Sequence, residues 1–98
     1  MNLYSRAVQQ IINAQYTVIG PLALEQAKKV KGLRIDSSSS VTITDKTTKQ
    51  KVILEELVKA YAEFFGQASI EVCKDAIHEL KPPIPDEELP RILRTSMS

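Results

Sequence analysis

From Val52 to Leu80 the apolar residues of this chain recur at steps of three and four. They run Leu54, Leu57, Val58, Tyr61 and Phe65, then Val72, Cys73, Ala76, Ile77 and Leu80. This is the period of an amphipathic helix and not of a strand. The two blocks meet at Gly66, and no other segment carries as much apolar surface, so the rest of the chain must pack against this one. With no proline after Gly66, the junction reads as a kink between a third and a fourth helix, with one long continuous helix as the alternative.

A similar arrangement precedes it. Leu3, Val8, Ile11, Ile12, Tyr16 and Ile19 fall on one helical stripe, with Gln9, Gln10 and Asn13 opposite, which predicts a first helix beginning between Asn2 and Ser5. Ile19-Gly20-Pro21 stops it, because glycine tolerates the turning conformation and the residue before proline is disfavoured in helix. Pro21 suits the first position of a second helix running to about Lys31, with the small inward stripe Ala23, Ala27 and Val30 and with Gly32 past its end.

Between the helical blocks, Leu33-Arg34-Ile35-Asp36 and Val41-Thr42-Ile43-Thr44 alternate apolar with polar residues around a run of serines. A short β-hairpin and an irregular loop both fit residues 33–44, since an isolated strand pair is marginal. Thr47 and Gln50 read as a capping box for a third helix from about Thr48 to Phe65. The fourth helix should end near Leu80, before Lys81-Pro82-Pro83. A short C-terminal helix over Glu87 to Leu93 would then place Ile84, Leu89, Ile92 and Leu93 on the core. Residues Thr95 to Ser98 are expected to be disordered.

Sliding the chain by 46 positions sets Val8 on Leu54, Ile11 on Leu57, Ile12 on Val58, Val18 on Phe64, Ile19 on Phe65 and Gly20 on Gly66; Leu24 on Ile70 and Lys28 on Lys74 continue the match. Coincidence between amphipathic helices would reproduce a stripe but would not place glycine at the same junction. The expected fold is therefore mainly α. Two helical hairpins, residues 3–31 and 48–80, would pack their apolar faces together as a four-helix core with approximate two-fold symmetry. Residues 32–47 form an insertion and 81–98 a tail, all within one domain of 98 residues.

Val18-Ile19-Gly20-Pro21-Leu22-Ala23, followed at a distance by a helix and by the tail Ile84-Pro85-Asp86-Glu87-Glu88-Leu89, resembles a small helical module with a Gly-Pro-x-Ala signature found in bacterial regulatory proteins, such as the ends of Ser/Thr kinases. The resemblance covers most of the chain. It implies a regulatory or scaffolding role in bacterial signalling instead of catalysis.

Composition narrows the function classes. The chain has 43% hydrophobic and 26% charged residues, with no apolar run near the roughly 18 residues that cross a bilayer. The N-terminal MNLYSRAVQQ lacks the succession of a signal peptide, and a lone cysteine forms no internal disulfide, so a cytoplasmic location is expected. The net charge of +1 conceals an asymmetry. Residues 1–51 hold eight Lys and Arg against three Asp and Glu, a net of +5, and residues 52–98 hold five against nine, a net of −4. Two solvated faces explain this, as does a surface suited to a charged partner or to self-association.

Nothing in the sequence reads as an active centre, and no cofactor or metal is implied. Cys73 and His78 lie five residues apart, about 140° around a helix, so they cannot couple as nucleophile and base within it. Glu71, Asp75 and His78 share a strip that could hold a divalent ion, but Lys74 between them favours a solvated, ion-paired face. The chain is expected not to be an enzyme.

Two binding readings remain. Tyr16, Tyr61, Phe64 and Phe65 cannot all fit inside so small a core, and adjacent Phe64 and Phe65 diverge by about 100°. Tyr61, Phe64 and Phe65 are therefore candidates for a protein interface, with a homodimer as the expected form; the alternative is that Phe64 covers the proline-rich tail. The other reading is nucleic-acid binding by a helix-turn-helix carrying Lys28, Lys29, Lys31 and Arg34. Against it, the four cations gather at a helix end, base-reading side chains are missing, and the chain as a whole is not basic.

Overall fold

The computed structural model describes residues 3–37, 40–44 and 49–94. Helix α1 spans Leu3–Ile19 and α2 spans Leu22–Ala27; strands β1 (Leu33–Ser37) and β2 (Ser40–Ile43) follow, then α3 (Gln50–Phe65) and α4 (Gln67–His78). The fold is mainly α, with four helices and one small antiparallel hairpin. The C-terminal segment forms two 3-10 turns, Asp86–Glu88 and Arg91–Leu93, where a short helix was expected. Pro90, between them, lacks the N–H that a continuous helix would need from it.

The core is built from equivalent positions of the two halves. Ala7, Val8, Ile11 and Ile12 of α1 and Ile53, Leu54, Leu57 and Val58 of α3 are all buried, and each pair is separated by 46 residues. The match extends to surface positions, since Val18 and Phe64 are both exposed at 60% and 52%. It extends also to the turns. Gly20 and Gly66 have φ of +67° and +73°. Gly20 N–H donates to the Tyr16 carbonyl and Gly66 N–H to the Ala62 carbonyl, while Ala23 N–H donates to the Gly20 carbonyl and Ser69 N–H to the Gly66 carbonyl. Gly66, with ψ of −154°, breaks the helix outright. The junction is thus a sharp one-residue turn, in place of the expected kink or continuous helix, because this backbone region is open essentially to glycine alone.

Two buried hydrogen bonds to backbone carbonyls tie the hairpins together, and they too are related by the same shift. Gln15 Nε2 donates to the Ser69 carbonyl at 3.1 Å, and the Tyr61 hydroxyl donates to the Ala23 carbonyl at 2.7 Å. Gln15 corresponds to Tyr61 and Ala23 to Ser69. Each bond gives a buried polar side chain its partner, and among the described residues no buried side-chain N or O atom is left without one. The expected inward position of Tyr16 is corrected, since Tyr16 is 38% exposed and Gln15 takes the buried place.

The second helix is shorter than expected. It ends at Ala27, and Lys29 and Val30 bond to carbonyls three residues back, at Gln26 and Ala27, which tightens the chain into turns that bury Val30. Of the two readings of residues 33–44 the hairpin is found, with Leu33 opposite Ile43 and Ile35 opposite Val41. These four side chains lie half-buried on one face, against α1 and α2, while Arg34, Asp36 and Thr42 face out. Thr47 and Thr48 lie outside the described residues, and with them the capping box. Helix α3 begins at Gln50 after Lys49, whose own side chain makes no cap hydrogen bond.

The tail closes the end of the bundle opposite the two glycine turns. Ile84, Leu89 and Leu93 are buried. The Tyr4 hydroxyl reaches the Glu88 carbonyl and its Oε2, each at 2.8 Å, and Lys51 Nζ donates to the Glu87 carbonyl at 2.9 Å. Arg94 Nε donates to the Asp86 and Leu89 carbonyls and fastens the tail to itself.

Candidate functional site

Because α2 stops at Ala27, the flank of α3 beside it is left uncovered. A groove of about 610 Å³ runs there, with Gln26, Lys29, Val30 and Lys31 on one wall and the α3 residues from Val52 to Phe64 on the other. The α3 wall is one stripe at helical spacing: Val52, Glu56, Ala60, and then Glu63 and Phe64. Val52 and Phe64 are exposed apolar side chains, at 39% and 52%.

The equivalent flank of α1 is occupied. The residues of α1 that correspond to Val52 and Glu56 are Arg6 and Gln10. Arg6 donates to the Lys81 carbonyl and Gln10 Nε2 to Glu79 Oε1, both supplied by the chain leaving α4. Helix α4 runs to His78, five residues beyond the position where α2 ends, so its continuation reaches this flank while the chain after α2 turns away into the hairpin.

The charges of the groove are unequal in their commitments. Lys59 is 3.8 Å from Glu55 along α3. Lys29, Lys31, Glu56 and Glu63 make no ion pair among the described residues. Among the described residues no ion pair has to break for them to meet a partner's charges.

The candidates read from the sequence fall into different places. Phe64, Lys29 and Lys31 come together in the groove. Phe65 is half-buried and packs against Phe64, ring centroids 4.5 Å apart and planes tilted by 45°. Tyr61 is a correction: it is fully buried and holds the two hairpins together, so no partner reaches it. Burial raises its hydroxyl well above the usual tyrosine range, with a further push from Cys73. The tail touches Tyr4, Arg6 and Lys51 and leaves Phe64 uncovered, so the idea of Phe64 as its lid does not hold. Lys28 lies 4.0 Å from Glu25, and Arg34 lies 3.4 Å from Asp36 on β1. The four cations therefore occupy a helix end, two turns and a strand, not one recognition helix.

Cys73 is buried, and burial pushes its thiol up to about 11 despite the opposing effect of the Gln15 hydrogen bond. It is a core thiol at neutral pH, and His78 stands exposed away from it. Glu71 is engaged by Gln67 Nε2 at 2.9 Å and by Lys74 at 3.9 Å. Among the described residues no three His, Cys, Asp or Glu side chains are grouped to hold a metal ion. Nor is any helix there long and apolar enough to cross a membrane.

Sequence reasoning missed Val52, Glu56, Ala60 and Glu63. The signal was present: this stripe lies off the main apolar stripe of α3 yet carries Val52, Ala60 and Phe64 at steps of four and eight. Its meaning depended on α2 being short. No protein-family model, curated protein or solved structure matches the chain.

Proposed function

We propose that this chain is a non-catalytic protein-interaction module, of a regulatory kind and working in the cytoplasm, whose docking surface is the groove between α2 and α3. The observation that carries the reading is the pairing of exposed Val52 and Phe64 with four uncommitted charges on one groove. Apolar anchors inside a charged rim are what a specific protein contact needs, because burying the aromatic side chain supplies most of the binding energy and the rim charges select the partner.

A photo-cross-linking residue in place of Ala60, on the α3 wall of the groove, tests this in the native cytoplasm. The same residue placed at Asp75, the equivalent of Lys29 on the opposite flank, is the control. A protein adduct from position 60 that is missing from position 75, and that is lost in Phe64→Asp at unchanged helicity, supports the module. A nucleic-acid adduct, or no adduct from the groove, overturns it.

A further inference from the structure

The groove has a direction. The second arm of the other hairpin meets α1 in descending order, Ser69 at Gln15, Glu79 at Gln10 and Lys81 at Arg6. With the Tyr61–Ala23 hydrogen bond holding the start of α2 at the equivalent place on α3, the chain leaving α2 runs by the same equivalence toward the first turns of α3. Lys29 and Lys31 therefore make that end cationic. Glu63 stands near the other end, beside Phe64, with Glu56 between. From Val52 to Phe64 the wall extends about 18 Å.

A surface with Lys29 and Lys31 at one end and Glu63 at the other is complementary to itself at those ends after a two-fold rotation. Both signs on one patch suit such an isologous pairing, whereas a partner of single charge would leave part of this rim opposed to its own sign. Resting on the interaction-module reading, we infer that the occupant of the groove is a second copy of this chain, with the two α3 helices crossing antiparallel at about the level of Val58. Position i then faces position 116 − i, by symmetry about residue 58. Phe64 of each copy lies over Val52 of the other, so that the exposed apolar side chains meet. Glu56 lies opposite Ala60, next to Lys59. Glu63 meets the level of Ile53, where Lys29 and Lys31 of the other copy approach. Every uncommitted charge of the rim gains an opposite neighbour, and the two exposed apolar side chains cover each other. The inner faces of both hairpins remain in their own cores, so no refolding is required.

Sedimentation equilibrium of the full chain, up to a concentration on the order of 100 µM, reads the result directly. The chain has a mass of 10.9 kDa, and the expected species at high concentration has twice that mass. Glu63→Lys alone, and Lys29→Glu with Lys31→Glu alone, should each weaken the dimer about tenfold or more by setting like charges together. An equimolar mixture of the two variants should recover it as a heterodimer, because both charge contacts are then opposite again. One chain carrying all three substitutions should recover the homodimer. Circular dichroism unchanged across the series separates lost association from lost folding.

A wild-type chain that stays monomeric at every concentration overturns the inference, as does a charge-swapped mixture that fails to recover. The cross-linking at position 60 distinguishes the two failures. A monomer whose groove captures a different protein removes only the second copy as occupant; a monomer whose groove captures no protein removes the module as well.

Discussion

The two helical hairpins share their turn geometry, their buried positions and one buried side-chain bond each to a backbone carbonyl of the other, and they differ in the length of the second arm. After Gly66 the chain stays helical for twelve residues, and the segment beyond reaches the flank of α1. After Pro21 it stays helical for six and turns into a β-hairpin, leaving the flank of α3 bare. The difference teaches that in a repeat of this kind the core and the surface are set by separate parts of the sequence. The apolar stripe and the glycine determine how the hairpins meet. The point at which an arm ends determines which flank is open to a partner.

The comparison breaks most severely if the equivalent core positions are not energetically equivalent. Ile11 and Leu57 are 46 residues apart and both fully buried. Ile11→Ala and Leu57→Ala should each cost about 2–5 kcal/mol, through lost burial and the cavity left behind. That is a large share of the about 5–15 kcal/mol by which a domain of this size is held folded. Urea denaturation followed by circular dichroism measures both. A cost near zero at one site and several kcal/mol at the other would mean that one hairpin is only loosely docked.

The turns sharpen the comparison at a smaller scale. A Cβ added at Gly20 or Gly66 meets nothing within 4 Å, so the cost of alanine there is backbone strain alone. We expect about 1–3 kcal/mol at each position, with Gly66→Ala the costlier because its φ and ψ lie where glycine alone is at ease. Equal denaturation midpoints for wild type and Gly66→Ala would contradict the strained turn.

How much of this was legible in the sequence follows from which forces are local. The apolar period of α1 and α3, and the glycines that end them, report on backbone and core together, so those helices and the 46-residue shift could be read directly. The alternation of Leu33, Ile35, Val41 and Ile43 fitted a hairpin but did not separate it from a loop, because what steadies the strand pair is its packing on α1 and α2. The end of α2 was not legible, because Ala23, Ala27 and Val30 fall on one stripe whether the last of them is reached by helix or by a tightened turn. The groove inherits that uncertainty, since it exists only where α2 falls short. Tyr61 was misplaced for a related reason. It lay on the apolar stripe, but with four aromatic side chains, too many for the core, nothing local showed that Tyr61 stays inside, since its acceptor, the Ala23 carbonyl, lies 38 residues away in the other hairpin. Pro90 was a visible signal that no single helix covers the tail.

The smallest expected effect appears at alkaline pH, where the hairpins differ in what they can titrate. Cys73 corresponds to Ala27, which carries no proton to lose. Burial raises the Cys73 thiol from its ordinary 9.0 to about 11, so the folded chain keeps a proton that the unfolded chain releases. The stabilisation from this group is whole below pH 9 and is lost as pH rises from 9 through about 11, at a rate on the order of 1 kcal/mol per pH unit. Tyr4, pushed up to about 12 by burial and by its bond to Glu88, and Tyr61, raised further still, add their losses only above the ordinary tyrosine value of 10.0. Cys73→Ala, which copies the first hairpin into the second, should therefore move the onset of alkaline destabilisation from about pH 9 to about pH 10. Denaturation midpoints at half-unit steps from pH 8 to 11 measure this. An onset unchanged by the substitution would mean that the thiol is not held protonated by the fold.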